Sequence, residues 1–234
     1  KNNITKEYKK DWDLYIPCGY NEVETELKTI ETTNKDQIIF GISGCDKIVS
    51  KNNIWTLLEG SYGRKKASMI MPETYILNNT KDMEKFVIDY KPHQKYILKK
   101  NIQRKKGLMM SDDLRVITKA KNQGYKVVQK YLNNVFLINK RKINLRIYIL
   151  IKCINGNVSG YIHPEGKCIY TNKDYDPKDL DFESNITSYN LNLDIYDKNP
   201  LTLKELKTYF EDKNLDYEKF FDKIKYILKL TIQA

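Results

Sequence analysis

Histidine and cysteine are scarce in this sequence. Its 234 residues include two histidines, His93 and His163, and four cysteines without Cys-x-x-Cys spacing. A structural zinc site needs a cluster of such ligands, and the sequence shows none. With two histidines, the sequence also offers few candidates for a base that activates a catalytic nucleophile. The sequence therefore argues against zinc sites and against histidine-dependent nucleophilic enzymes.

Long hydrophobic runs are missing too. No apolar stretch approaches the length of a membrane span, and no signal peptide is recognisable. We therefore expect no membrane partner and a location in the cytoplasm. The cysteines are then expected as free thiols, although Cys153 and Cys168 could face each other on neighbouring strands.

Acidic residues are outnumbered by basic ones. Forty-one Lys and Arg residues against 30 Asp and Glu residues give a formal net charge of +11. This excess attracts anionic partners such as nucleotides, nucleic acid or acidic peptide tails. The richness in Lys, Asn, Ile and Tyr could equally come from AT-rich coding. Charge alone therefore does not select among these explanations.

Hydrophobic patterns predict an α+β fold of mixed or antiparallel sheets backed by helices. Helices are predicted at 46–58, at 82–90 and, capped by Ser111, at 111–123, and Thr202 and Asp216 can cap two C-terminal helices. An acidic loop is expected at 174–183. Strands are predicted at 37–41 (short and buried), 72–77, 94–99, 127–132, 142–151, 157–162 and 166–171.

The strand at 142–151 alternates strictly between apolar and polar side chains, so each kind occupies one face. The apolar face carries Ile143, Leu145, Ile147, Ile149 and Ile151. The other face carries Lys142, Asn144, Arg146 and Tyr148. A solvated face and the lining of a polyanion site fit this pattern equally well.

A basic loop, Lys100 to Gly107, follows the predicted strand that ends at Lys99. Such a loop can fold over phosphates, with lysine as a point charge and glycine allowing close backbone approach. A nucleic-acid patch or a solvated turn would look similar. The order of features is more specific, because a helix, a Val-Val-Gln-Lys-Tyr strand and a Lys-x-x-x-Arg strand follow.

This order resembles the tubulin-tyrosine ligase-like family of ATP-grasp proteins. Residues 127–132 and 141–148 are similar to the family's Val-Val-Gln-Lys-Tyr-Ile and Arg-Lys-Phe-Asp-Leu-Arg-x-Tyr segments. Residues 96–100 and 105–108 resemble its Trp-Ile-x-Lys-Pro strand and Gly-x-Gly-Ile loop, and 185–189 resembles its His-Leu-Thr-Asn-Tyr segment. The likeness is closer to members from large DNA viruses than to animal enzymes. A viral protein of this kind would be located in the host cytoplasm.

The resemblance implies three regions and a set of roles. An N-terminal and linker region (1–90) would precede a central ATP-grasp subdomain (91–152) and a partial C-terminal one (153–234). Lys51 and Lys99 would hold ATP phosphates beneath a lid formed by Lys105, Lys106, Gly107 and Leu108. The adenine hinge would be formed by Gln129, Lys130, Tyr131 and Leu132. Lys142, Asn144 and Arg146 would line ribose, phosphate and acceptor.

The implied activity is that of an ATP-dependent carboxylate–amine ligase. ATP would phosphorylate a carboxylate, and an amine would attack the acyl-phosphate, with Mg²⁺ as the metal cofactor. Such catalysis needs positioning and electrostatic stabilisation but no enzyme nucleophile. The implied acceptor is an acidic protein or peptide, the tubulin tail being one candidate.

Departures from the family pattern favour an alternative. Asn144 stands where an aspartate is expected, and Ile169 where an arginine is expected. The family's late Asp and Glu-x-Asn metal ligands have no counterpart up to Ala234, so we expect no metal ligands and an incomplete C-terminal subdomain. The alternative is a non-catalytic descendant that binds nucleotide, acidic peptide or nucleic acid in an assembly.

Overall fold

A computed structural model describes residues 11–17, 23–102, 107–187 and 193–234 of the chain. The chain divides into two compact units, Lys1–Ser50 and Lys51–Ala234. In the first, strands β1 (Leu14–Tyr15) and β2 (Ile38–Ile39) pair in parallel, and helices α1 (Val23–Leu27) and α2 (Asp46–Val49) are short. The short strand predicted at 37–41 is present as β2, but the prediction that it is buried is wrong, since Ile38 and Phe40 are 62% and 64% exposed.

The second unit begins with helix α3 (Lys51–Ile70), which kinks at Gly63, a residue with φ of 74°. The single helix predicted at 46–58 begins at the predicted residue, but it is two helices and the predicted end is too early. Ser50 has extended backbone (ψ 136°) and separates α2 from α3. Helix α3 then continues twelve residues past the predicted end at residue 58, because Ala67 is buried in the same cluster as Trp55 and Leu58.

A four-stranded antiparallel sheet forms the centre of the second unit. It comprises β3 (Thr74–Ile76), β4 (Tyr96–Lys99), β5 (Leu108–Ser111) and β6 (Val127–Lys130), in the order β3-β6-β4-β5. Helices α4 (Thr80–Asp89) and α5 (Leu114–Lys119), followed by a 3₁₀ turn (Ala120–Gln123), cover one face through an aromatic-rich core.

Strand β5 was not predicted, and Ser111 does not cap a helix. Ser111 instead ends β5, opposite Tyr96 of β4. The N-cap of α5 is Asp113, whose carboxylate accepts a hydrogen bond from the Arg115 N–H at 2.7 Å. The end of this helical segment at Gly124, in the left-handed region (φ 82°), agrees with the prediction.

The second sheet contains β7 (Leu137–Ile138), β8 (Arg141–Ile154) and β9 (Asn157–Tyr170), all antiparallel. Strand β9 is continuous, so the two strands predicted at 157–162 and 166–171 are one. Cys153 lies opposite Val158 and Cys168 opposite Leu145, which excludes a contact between the two thiols.

Three helices complete the fold: α6 (Phe182–Asn185), α7 (Leu203–Asp212) and α8 (Tyr217–Gln233), with a 3₁₀ turn at Leu193–Asp197. The predicted caps are confirmed, because Thr202 and Asp216 accept hydrogen bonds from the Glu205 and Lys219 N–H groups at 3.2 and 2.8 Å. The α+β prediction is confirmed as well. Within the described residues, no helix is both long and apolar enough to cross a membrane.

The alternation predicted for β8 is confirmed in its first half. Ile143, Leu145 and Ile147 pack against a core that includes Leu203, Leu206 and Phe210 of α7. Pairing with β9 becomes irregular between Ile147 and Ile149. Beyond that point the predicted apolar face is more exposed, as Ile149 shows at 37%.

Candidate functional site

A cleft of about 860 Å³ is lined by side chains of both sheets and of helices α7 and α8. The face of the first sheet that is opposite the helices contributes, because the alternation that buries Leu98 and Val128 under helices turns their neighbours toward the cleft. Nine residues predicted for the site line it: Lys51, Lys99, Leu108, Gln129, Lys130, Tyr131, Leu132, Lys142 and Asn144.

Lys99 lies on the cleft face of β4 and is held by an amide. Its Nζ donates a hydrogen bond to Gln129 Oε1 at 2.6 Å. Gln129 is itself oriented by donating from Nε2 to Thr74 Oγ1 at 2.8 Å and to the Pro72 carbonyl at 3.2 Å. Burial, together with the charges of Lys51 and Lys142, lowers the pKa of Lys99 to about 8.

Lys142 enters the cleft from β8 and is also held by neutral groups. Its Nζ donates to Tyr131 Oη at 3.0 Å and to the Asn185 carbonyl at 3.2 Å. The ammonium also lies 4.4 Å from the centroid of the Tyr131 ring. Burial lowers the pKa of Lys142 to about 8 and raises the pKa of Tyr131, so the phenol stays neutral.

Lys51, the first residue of α3, is the third ammonium group of this cluster. Its Nζ donates to the Ile102 carbonyl at 3.2 Å, and burial lowers its pKa. In the described parts of the chain, none of the three lysines forms an ion pair with a carboxylate. We call Lys51, Lys99 and Lys142 the lysine cluster.

Sequence reasoning assigned no role to three polar residues around the cleft: Thr74, Asn185 and Thr187. Thr74 is fully buried and fixes Gln129. Asn185 accepts a hydrogen bond from Tyr131 Oη at 3.0 Å, and Thr187 Oγ1 accepts one from Asn144 Nδ2 at 2.8 Å. Asn185 and Thr187 lie in the segment 185–189, and its resemblance to the family could have indicated that they belong to the site.

Two predicted site residues lie outside the lining, and two more lie outside the described residues. Arg146 is paired across the ladder with Lys167 and does not line the cleft. Gly107 closes the basic loop, its carbonyl accepting a hydrogen bond from the Lys100 N–H at 2.8 Å. A Cβ on Gly107 would lie 2.5 Å from Ile102, so glycine is required by close approach. Lys105 and Lys106 are the two outside the described residues.

The charged side chains in the described lining of the cleft are all positive. Four lysines line it (Lys51, Lys99, Lys130 and Lys142), and its described lining contains no Asp or Glu. Among the described residues, no group of three or more His, Cys, Asp or Glu side chains is placed to hold a metal ion. Chemically, such a cleft can bind a polyanion that also has an apolar part.

Comparison with known proteins identifies the family of the chain. Residues 29–234 match the family model described as the tubulin-tyrosine ligase family. The matched range contains every described residue that lines the cleft. A search of curated proteins found no match to this chain.

Proposed function

Because the chain belongs to the tubulin-tyrosine ligase family, an ATP-grasp-like family with ATP-dependent ligase activity, we propose that its cleft binds ATP. We further propose that the bound ATP is used to join a carboxylate of an acidic protein or peptide to an amine. The single observation that carries this proposal is the set of lysines converging in a cleft whose described lining contains no carboxylate.

The lysine cluster supports triphosphate binding through its charge. Two unit charges about 4 Å apart interact by about 4 kcal/mol at an effective dielectric constant of about 20. The low pKa values of Lys99 and Lys142 reflect burial that disfavours their charged forms in the free protein. A triphosphate placed among the three ammonium groups restores the preference for the charged forms, so binding and protonation reinforce each other.

The other part of the cleft suits a purine and its ribose. Apolar side chains of the first sheet and the segment before it face the cleft, namely Met71, Pro72, Ile97 and Leu108. They adjoin Tyr131 and Leu132, the hinge residues implied by the family resemblance. A flat apolar base between such side chains removes hydrophobic surface from water.

The proposed reaction proceeds by two displacements. A carboxylate oxygen of the acceptor attacks the γ-phosphorus of ATP, ADP leaves, and an acyl-phosphate forms. The amine then attacks the acyl carbon, the C–N bond forms, phosphate leaves and the amine releases a proton. In this proposal Lys99 and Lys142 stabilise the charge on the transferring phosphoryl group, and Asn144, which lines the same cleft, is assigned to acceptor contact.

Magnesium is generally used by this family. Mg²⁺ takes oxygen ligands in octahedral geometry, usually one or two carboxylates together with substrate phosphates. The described lining offers amides, hydroxyls and ammonium groups but no carboxylate. These residues do not fit a protein-held magnesium ion, and the proposed mechanism contains no step that depends on one.

A second candidate is a nucleotide-binding protein without turnover. It is favoured by Asn144, whose amide donates to Thr187 at 2.8 Å at the position where the family resemblance implies an aspartate. An amide contributes no negative charge to orient a metal or an attacking amine. In this case the cleft would hold ATP as part of an assembly.

One experiment separates the two candidates. The chain is incubated with ATP, a glutamate-rich peptide and a mixture of amino acids, with and without Mg²⁺. Ligation predicts ADP formation that requires the peptide, and a peptide mass increased by one amino-acid residue. Lys142→Met should abolish both signals, whereas Lys152→Met, on the same strand but outside the cleft lining, should retain them. ATP binding without ADP formation would establish the second candidate, and absence of ATP binding would contradict both.

A further inference from the structure

We propose that this cleft takes ATP as the metal-free anion, with Lys51, Lys99 and Lys142 supplying the positive charge that a divalent cation supplies elsewhere. The inference rests on the proposed binding of ATP and adds the charge state of the ligand. It also predicts that Mg²⁺ weakens binding, the opposite of what a magnesium-dependent nucleotide site shows.

The first support is the composition of the lining. Its described residues include four lysines and no carboxylate. Two undescribed segments lie within two residues of Leu108 and Thr187, which line the cleft, and neither segment contains Asp or Glu. Residues 103–106 read Gln-Arg-Lys-Lys, and residues 188–192 read Ser-Tyr-Asn-Leu-Asn. Carboxylates are the protein ligands that Mg²⁺ normally requires.

The second support is the way in which the lysine cluster is held. Each ammonium donates to neutral oxygens: Lys99 to Gln129 Oε1 at 2.6 Å, Lys142 to Tyr131 Oη at 3.0 Å, and Lys51 to the Ile102 carbonyl at 3.2 Å. Neutral acceptors fix the position of an ammonium group but do not cancel its charge. The mutual repulsion of the three groups contributes to the low pKa of Lys99, and a bound anion relieves this repulsion while the groups keep their protons.

The acidic loop at 174–183 does not supply the missing carboxylate. Asp181 pairs with Lys173 at 3.0 Å, and Glu183 accepts a hydrogen bond from Asn172. Asp176 accepts a hydrogen bond from the Lys178 N–H at 2.8 Å. The described cleft lining includes no residue of this loop, so the loop cannot balance the charge of a cation bound to the phosphates there.

These features set the sign of the magnesium effect. Near neutral pH, free ATP carries about four negative charges and its magnesium complex about two. Mg²⁺ on the phosphate oxygens would therefore reduce the charge available to the lysines and would itself repel them at short range. Without a carboxylate to offset that repulsion, magnesium and the lysine cluster compete for the same oxygens.

The test is isothermal calorimetry of ATP binding to the full chain at about pH 7, where phosphate and lysine groups are ionised. Titrations in EDTA and in excess MgCl₂ are compared at equal ionic strength. We expect the dissociation constant in EDTA to be lower by about fivefold or more. Equal affinity in the two buffers, or tighter binding with Mg²⁺, would overturn the inference and leave ATP binding intact. Absence of binding in both buffers would instead overturn the proposed function, and this inference with it.

A substitution that adds one carboxylate tests the cause. Asn144→Asp places a negative charge in the lining at an exposed position. It should weaken ATP binding in EDTA and reduce or reverse the difference between the two buffers. Asn157→Asp, the same change at the far end of the β8–β9 hairpin, should behave like the unaltered chain. An Asn144→Asp chain that keeps the full preference for metal-free ATP would show that the lining does not determine it.

Discussion

Arg64 and the lysine cluster, all buried or half-buried cations of the second unit, have opposite kinds of hydrogen-bond partner. Arg64 lies near three carboxylates, those of Glu59 at 2.9 Å, Glu73 at 3.9 Å and Asp82 at 2.5 Å. It also lies 5.2 and 4.7 Å from the ring centroids of Trp55 and Tyr75. The lysine cluster, by contrast, contacts neutral oxygens among the described residues.

The difference separates a cation that supports the fold from cations that serve binding. Arg64 joins three elements, because it also donates to the Thr74 carbonyl at 3.0 Å while Asp82 accepts from the Ile76 N–H at 2.7 Å. Its charge is balanced within the protein. The lysine cluster keeps its charge unbalanced at the expense of stability, and this unbalanced charge attracts an anion.

The largest effect on stability is expected from removing Arg64, the cation that is paired with carboxylates. Arg64→Met should lower the free energy of unfolding by about 3–5 kcal/mol, because it leaves Asp82 buried without its partner. The Arg64 and Asp82 side chains are only 15% and 13% exposed, so solvent screens the pair weakly. Urea denaturation followed by circular dichroism measures the change. A loss below about 1 kcal/mol would show that Arg64 does not support the fold in this way.

The second prediction concerns the unpaired cations. Lys99→Met should weaken ATP binding by at least about tenfold, because one charge-assisted contact contributes about 1.5–3 kcal/mol. The same change should leave the unfolding free energy of the free chain unchanged or increased, since it removes a desolvated charge. Calorimetry with ATP and thermal unfolding without it measure the two quantities. Lys152→Met is the matched control, and a parallel loss of stability and binding would contradict the comparison.

The third prediction is a pH dependence in which binding and stability move in opposite directions. The pKa values of Lys99 and Lys142 are lowered to about 8, so both ammonium groups lose their protons as pH rises through that value. ATP affinity should therefore fall by about tenfold between about pH 7.5 and pH 9. In the unfolded chain these lysines keep their protons to about pH 10.4, so the unfolded state binds more protons and stability rises over the same interval.

Titrations of the unaltered chain and of Lys99→Met check this sign. The variant should show a smaller change in unfolding free energy between about pH 7.5 and pH 9. ATP affinity that is constant across the interval would mean that the lysines keep their protons in the cleft. In that case their charges would have to be balanced by another group.

The smallest effect is expected at an exposed ion pair. Lys207 and Glu218 lie 2.8 Å apart, with side chains 46% and 66% exposed. Lys207→Met should change the unfolding free energy by less than about 1 kcal/mol, because solvent screens the pair. Measured beside Arg64→Met, it shows whether the effect at Arg64 comes from burial or merely from removing a positive charge.

Several features of the fold were predictable because they depend on local periodicity and backbone chemistry. The alternation along β8 correctly placed Ile143 and Leu145 against the core that includes α7. The caps at Thr202 and Asp216 were also correct, because an N-cap involves neighbours within three residues. Strand β5 was missed because it exists through its pairing with β4, and no local pattern encodes that contact.

The sequence by itself determined the positive charge, the scarcity of histidine and cysteine, the α+β class and the side of β8 that bears cations. These properties follow from composition and from the two-residue period of a strand. Tertiary structure alone decided which cations converge. It brought Lys51, Lys99 and Lys142 together across 91 residues of chain, placed Arg146 outside the lining and gave Arg64 its carboxylates. The physical reason is that the pairing or isolation of a charge depends on distances between elements remote in sequence, which no local pattern encodes.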